Sequence, residues 1–520
     1  MADIAKGVRA FTVGTAVSRV LGLIRESVFA YLFGAGMATD AFNAAFRIPN
    51  LFRDLFAETA LSAAFIPVLT EEKQKGKEQQ NLLASNVFNI LLITAGIVVV
   101  AGIIFSPYIV RIVAFGFGSI PDKIDLTARL TAVIFPFLLF IAFAAWAMGY
   151  LNTEQEFFVP SLAPAFFNIF SIAVPVILFS YLVNQGVEPI FGMAIGVLLG
   201  GLMQFSVQLP MLFKKGFHYR FHLSFTDPNI KRIFKLFLPV AIGLAASRIN
   251  VTVDTILISL LQERSMTWLN YAFRIMHLPL GLFGIAVGTV ALPTLSQCVA
   301  AEDHTAVKET FFDSLKLVFF LTVYAGIIIA FLSYPITKII YERGKFTPFD
   351  TWATTQALIL YVIGIPFIAG IRNVAAVFYA YKDARTPMYA SFAAVGVNII
   401  LNLILMRFIG FRAFPLSTTI SSFLNLSILF YFLPGKIGGF KTAPLIKYFI
   451  FLLIASGAAG FLSLGLNKYL TTIIGLSFAG QAVTLLLSVV SSFILFYLIC
   501  LMLGVKEVKD YIRRLTSMKK

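Results

Sequence analysis

Long runs of Leu, Ile, Phe and Ala, set apart by Gly, Pro or charge and each about 20 residues or longer, constrain this chain more than any other feature. A helix needs about 20 apolar residues to cross a bilayer core. Lipid offers the backbone N–H and C=O groups no partners, so such a run must satisfy its hydrogen bonds internally. An outer-membrane barrel is excluded, because its strands alternate polar and apolar residues over short segments. A soluble fold is excluded as well: 59% of the 520 residues are hydrophobic and only 13% charged, with mean hydropathy +0.88, which leaves too little polar surface to cover a globular core. The chain reads as an all-α integral membrane protein.

The runs predict fourteen transmembrane helices, at 10–36, 40–70, 86–115, 124–151, 158–182, 188–213, 230–261, 267–298, 309–333, 350–380, 386–409, 414–433, 444–466 and 476–504. An even number puts both termini on one side. That side collects Lys6, Arg9, Lys73, Lys75, Lys77, Lys214, Lys215, Arg220, Lys231, Arg232, Lys382, Arg385, Lys436, Lys441 and the basic tail from Lys506 to Lys520, whereas the opposite loops carry mainly Lys123, Arg264, Lys338, Arg343, Lys345 and Lys468. The bias predicts cytoplasmic termini. The net charge of +16 therefore reads as topology and contact with anionic lipid, not as nucleic-acid binding. Arg19, Arg25 and Glu26 interrupt the first apolar stretch, so no cleavable signal peptide is expected. Cys298 and Cys500 lie in or beside apolar stretches, as packing residues do.

An internal repeat is visible. The Gly14 and Ser18-Arg19 pattern recurs as Gly243 and Ser247-Arg248, and Asn43-Ala44-Ala45-Phe46-Arg47-Ile48 recurs as Asn270-Tyr271-Ala272-Phe273-Arg274-Ile275. Pro136-Phe137 and Asn168-Ile169 return as Pro366-Phe367 and Asn398-Ile399. The nearly constant shift spans six helices, so two six-helix lobes in the same orientation are expected, related by a pseudo-two-fold axis along the membrane normal, with two C-terminal helices outside the repeat. The expected divisions are 1–220, 221–435 and 436–520.

The first two spans carry Arg19, Arg25, Glu26, Asp40, Arg47, Arg53, Asp54 and Glu58. A charge at the bilayer centre costs about 2.5–3.5 kcal/mol on insertion scales, so this load must be paired or face a wet cavity. Arg19 and Arg25 are about 600° apart on a helix, which predicts a first span that is broken or curved, with Gly22 as the weak point. With Asp40 read as a helix cap, and with Arg274 entering from the second lobe, arginines outnumber the nearby acids. The excess points to an anion. Guanidinium, permanently charged and donating in a planar fork, is the group suited to phosphate. A second cluster, Asp254, Asn398, Asn402 and Thr418, offers carboxylate, amide and hydroxyl oxygens suited to Na⁺ or a proton, or simply to bonding helices together. No phosphate-binding Gly-rich loop with Lys and no zinc-protease motif occurs, and of four histidines only His277 lies near the charged spans, so a transporter and not an enzyme is expected.

Ser18-Arg19-Val20-Leu21-Gly22-Leu23-Ile24-Arg25-Glu26, the segment from Phe33 to Phe42, Phe46-Arg47-Ile48-Pro49-Asn50-Leu51 and Phe56-Ala57-Glu58 resemble the MurJ (MviN) lipid II flippase family of the multidrug/oligosaccharidyl-lipid/polysaccharide exporter superfamily. The likeness extends through Tyr271-Ala272-Phe273-Arg274 and Pro279-Leu280-Gly281. It implies alternating access between two lobes and carriage of lipid II, the polyprenyl-pyrophosphate-linked peptidoglycan precursor, from the cytoplasmic to the periplasmic leaflet. It also implies a groove for the lipid tail in the last two helices and partners among membrane lipids and cell-wall synthesis or division proteins. Its substrate-binding residues map onto Arg19, Arg25, Glu26, Asp40, Arg53, Glu58 and Arg274, and its sodium site onto Asp254, Asn398, Asn402 and Thr418; no other cofactor is implied. Glu26 stands where Asp is common, Asp54 where a second arginine often follows Arg53, and Asn402 where an acid can occur, which would weaken cation binding. Two other readings are a cation-coupled exporter of drugs or of another polyprenyl-linked saccharide, and a non-transporting scaffold. The cationic character of the opening spans speaks against a drug exporter, and a scaffold predicts that the arginines tolerate substitution.

Overall fold

Helices account for all the regular structure of the computed structural model, which describes residues 2–53, 60–475 and 477–503. Asp54, Glu58 and the basic tail lie outside the described residues. Two compact units emerge: Met1–Thr267 with Arg343–Phe346, and Trp268–Glu342 with Thr347–Lys520.

The first unit contains α1 (Ala2–Phe33), α2 (Met37–Arg53), α3 (Ala60–Lys75), α4 (Lys77–Ile104), α5 (Ser106–Val113), α6 (Lys123–Ile134), α7 (Phe137–Thr153), α8 (Phe158–Asn184), α9 (Phe191–Ser206), α10 (Leu209–Lys214) and α11 (Pro228–Ser259). Helix α8 is flanked by α1 and α9. Lipid supplies no hydrophobic drive between helices, so small residues that let backbones approach decide the packing. Gly192, Gly196 and Gly200 do this along one face of α9, and a Cβ at Gly200 would lie 2.8 Å from the Phe167 carbonyl oxygen. Pro136 interrupts the stretch between α6 and α7, because proline lacks the N–H that helix continuation needs. The end of α7 is tied by charge: Glu154 receives Lys73 at 3.1 Å, Lys77 at 2.9 Å and Gln80 at 2.8 Å. Asn81, Asn86 and Asn89 of α4 donate to the carbonyls of Gly216, Ser224 and His222, so one row of amides carries the non-helical loop after α10. Helix α11, ahead of which the expected 220 boundary falls, packs on α3 in this unit, where Arg232 pairs with Glu71.

Segment Arg343–Phe346 straps onto the end of α1. The Lys345 N–H donates to the Tyr31 carbonyl at 3.0 Å, and the Lys345 ammonium lies 5.2 Å from the Phe179 ring centre. Both backbones turn left-handed at the contact, Gly34 at φ +65° and Gly344 at φ +58°. A Cβ at either glycine would collide with the facing chain.

The second unit begins within α12 (Ser265–Pro279), where Pro279 is followed by a π-turn at Leu280–Gly284, a common response to an interrupted hydrogen-bond ladder. It continues through α13 (Ile285–Ala300), α14 (His304–Phe331), α15 (Ser333–Tyr341), α16 (Pro348–Ile363), α17 (Ile365–Ala380), α18 (Arg385–Ile409), α19 (Ala413–Phe432), α20 (Pro434–Ile437), α21 (Ala443–Ile474) and α22 (Phe478–Met502). Its core is centred on α14, whose Leu315, Phe319 and Phe320 meet Val377, Leu452 and Phe496 from α17, α21 and α22. Asp303 caps α14 through the N–H groups of Thr305 and Ala306, and Thr347 with Asp350 forms a reciprocal box at the start of α16.

Each of the fourteen expected spans coincides with helix over most of its described length. Among the described residues, nine helical segments are long and apolar enough to cross a membrane, and one of these, Arg385–Ile437, holds two expected spans. The remaining expected spans, 10–36, 40–70, 230–261 and 267–298, are the polar ones that carry Arg19, Arg25, Arg47, Arg248, Asp254 and Arg274. The chain is a multi-pass, all-helical membrane protein.

Candidate substrate-binding site

Arg25, one of the expected site residues, is held from three sides. Its Nη2 pairs with Glu26 Oε1 at 2.6 Å, and its Nη1 donates to Asn168 Oδ1 at 3.2 Å. Its guanidinium carbon lies 5.4 Å from the centre of the Phe167 ring. The two side chains of the ion pair are only 11% and 9% exposed. Asn168 is itself fixed, since its amide donates to the carbonyls of Ser18 and Pro164 at 3.0 and 3.2 Å. A guanidinium has five N–H donors, so two fixed bonds and a ring face orient its plane before any ligand arrives.

Of the two forms expected for the first span, broken or curved, the break is ruled out: helix α1 runs uninterrupted from Ala2 to Phe33. Continuity is possible because the two arginines need not share a face. Arg25 turns to α8, whereas Arg19 is exposed and has no hydrogen bond or ion pair among the described residues. Arg47, the repeat counterpart of Arg274, donates to Thr255 of α11 at 3.0 Å. Arg53 is half-buried at the end of α2, and Glu58 lies outside the described residues.

Asp40 does not cap its own helix: Thr39 Oγ1 accepts from the Gly36 N–H there. The Asp40 carboxylate is 2% exposed and accepts from the backbone N–H of Arg264 (2.8 Å) and of Thr267 (3.0 Å), from the Thr267 hydroxyl (2.7 Å) and from Lys123 Nζ (3.2 Å). Lys123, expected in a loop opposite the termini, is 1% exposed, with its ammonium 4.1 Å from the Phe117 ring centre. The carboxylate thus caps the start of α12 from another helix and carries a buried counter-ion.

In the second unit Arg274 is exposed on α12, and its charge, with that of Arg372 on α17, acts on His277. Arg372 escaped sequence reasoning because it stands alone in a long apolar run. Asn168 and Lys123 were also missed as site-forming residues; the repeat gave the only signal for Asn168. Of the second expected cluster, Asn398 and Asn402 are buried and bonded to each other at 3.2 Å, and Asn398 also donates to Ser421 at 3.4 Å. Thr418 donates to the Phe414 carbonyl. These three bring only neutral oxygens, while the one carboxylate, Asp254, is half-buried on α11 in the first unit.

A sequence profile of the family described as Lipid II flippase MurJ matches residues 29–480. The chain belongs to the MurJ lipid II flippase family. It is 36% identical over 425 residues to a probable lipid II flippase MurJ of Vibrio cholerae, covering 80% of both chains. It is 33% identical over 421 residues to the lipid II flippase MurJ of Burkholderia cenocepacia, covering 80% of this chain and 81% of that one. The solved structure of a lipid II flippase MurJ in an inward closed conformation superposes with TM-score 0.75 at 28% identity, over 95% of this chain and 99% of the other. A multidrug resistance MATE family transporter in an inward-facing conformation superposes with TM-score 0.61 at 13% identity over 85% of this chain and 99% of that one, a likeness of fold alone. MurJ membership makes this protein a lipid II flippase of peptidoglycan biosynthesis, a transporter rather than an enzyme.

Proposed function

We propose that this protein carries lipid II from the cytoplasmic to the periplasmic leaflet of a bacterial inner membrane by alternating access, with fourteen spans, cytoplasmic termini and working lobes of six helices each. The observation that carries the reading is the clamped Arg25, a guanidinium held at 11% side-chain exposure by Glu26, Asn168 and Phe167. Such a group is pre-oriented for a pyrophosphate and need not reorganise to meet it. Arg19, exposed and lacking a protein partner among the described residues, is the donor left to the ligand. Arg53, Glu58 and Arg274 are the further residues that the family resemblance assigns to the substrate, and Glu26 orients Arg25. The partners of Asp40 support a positioning role, fixing the start of α12 on which Arg274 rides. Residues 436–520 would seat the polyprenyl tail. The neutral oxygens of Asn398, Asn402 and Thr418 are suited to weak Na⁺ binding at most, so translocation is expected to persist when K⁺ replaces Na⁺.

The test is translocation of purified lipid II by the reconstituted protein, with binding measured in parallel. Arg25→Ala should lose at least about tenfold in translocation, since a hydrogen bond to a charged group contributes about 1.5–3 kcal/mol. Arg25→Lys should also fall, because an ammonium keeps the charge and loses the fork. Undiminished translocation in both variants would overturn the assignment.

A further inference from the structure

Three apolar helical segments end at one place in the second unit: the C-termini of α14 and α21 and the N-terminus of α22. A cavity of about 840 Å³ opens there, with Phe331, Ile339 and Leu464 among its apolar lining and Tyr334, Lys338 and Lys468 among its polar lining. The ends of membrane-crossing helices lie at the level of lipid headgroups, where a side chain with an apolar stem and a charged tip is at home.

The polar side of this cavity has donors to spare. Lys468 is exposed and makes no ion pair or hydrogen bond among the described residues, and the Tyr334 hydroxyl has no partner among them either. Lys338 reaches only Glu342, at 3.7 Å, too far for a hydrogen bond. Thr471 and Thr472 have already donated their protons to the carbonyls of Asn467 and Tyr469. The Asn467 amide donates to Ser488 at 3.4 Å, and Gln481 stands at the rim; beside them are two ammonium groups, one of them partly balanced by Glu342, and a phenol. That arrangement matches one negative charge bearing several acceptor oxygens.

We propose that this cavity seats the phosphodiester of an anionic glycerophospholipid. Lys468, Lys338 and Tyr334 donate to the phosphate, and Phe331, Ile339 and Leu464 line the first acyl methylenes. A pyrophosphate would bring a second charge that the site does not balance. A choline headgroup would bring a quaternary ammonium up to two lysines. A free phosphate would leave the apolar floor uncovered.

The full-length protein in neutral detergent is titrated with phosphatidylglycerol, with phosphatidylcholine of the same chains, and with inorganic phosphate. A photoreactive phosphatidylglycerol then locates the contact by peptide mapping. Phosphatidylglycerol should bind about tenfold more tightly than phosphatidylcholine, a difference of about 1.4 kcal/mol. Inorganic phosphate should not displace it, and cross-links should fall within 331–342 and 464–481. Lys338→Gln with Lys468→Gln should abolish the preference, and Lys468→Arg should keep it. Equal binding of the two lipids, displacement by phosphate, or cross-links elsewhere would overturn the site. The wild-type measurements decide the matter even if the double variant fails to fold.

Discussion

Asn168 and Asn398 occupy equivalent positions in the internal repeat, are both buried, and do different work. Asn398 in the second unit bonds Asn402 and Ser421, neutral groups on its own and the next helix. Asn168 in the first unit spends its amide protons on α1 and on its own helix and offers its oxygen to Arg25. A buried amide is a means of tying helices together where lipid offers no alternative partner. In the first unit the same amide also carries a charge. Arg47 and Arg274 also differ: Arg47 donates to Thr255, and Arg274 is exposed on α12. The repeated asparagine is thus bonded to an arginine in one unit and to neutral groups in the other.

The largest expected effect tests whether the first unit depends on its buried charges. Lys123→Met leaves the Asp40 carboxylate buried without its counter-ion and should destabilise the protein by about 3–5 kcal/mol in denaturant unfolding in detergent. Adding Asp40→Asn should recover part of that loss, and additivity of the two would break the coupling. Next comes the amide pair itself. Asn168→Ala and Asn398→Ala should each lower stability by about 1–2 kcal/mol, but only Asn168→Ala should also lower lipid II translocation, by about tenfold. Equal losses of transport would erase the contrast between the units.

The smallest effect lies outside the spans. Burial alone would raise the Glu154 carboxyl, but hydrogen bonds from Lys77, Gln80 and Lys73 and the charge of Lys77 outweigh it and hold the group below the ordinary range. A depressed carboxylate stabilises above its unfolded pKa of about 4.3, and the contribution is lost as pH falls through the lower folded value. Glu154→Gln should therefore cost about 1 kcal/mol or less at pH 7, because the paired lysines are 37% and 39% exposed and can rehydrate. The gap between variant and parent should close on acidification. A gap that stays constant below pH 4 would show that packing, not charge, holds the end of α7.

Much of the scaffold was legible in the sequence. Run length predicted the helices, although Pro136 and Pro279 interrupt the expected spans 124–151 and 267–298, and the repeat singled out Asn168 and Asn398 as a matched pair. Less of the site was legible. Lys123 counted as a loop cation because its sequence neighbours, Asp122 and Asp125, are polar, yet its tip reaches a carboxylate 83 positions away. The continuous α1 could not be foreseen from helical phase alone, because phase shows that two arginines face apart but not that α8 offers one of them an amide.

By itself the sequence determined that this protein is a bundle of membrane helices with an excess of arginine in its opening spans, and the motifs of those spans pointed to a lipid-linked anion. These are properties of runs and counts, and hydrophobicity and charge act on them locally. Only the tertiary structure decided that Arg25 is clamped while Arg19 is open, and that Asp40 and Lys123 form an interior pair. A guanidinium's orientation and an ammonium's burial depend on groups 143 and 83 residues away, and only helix packing brings those together.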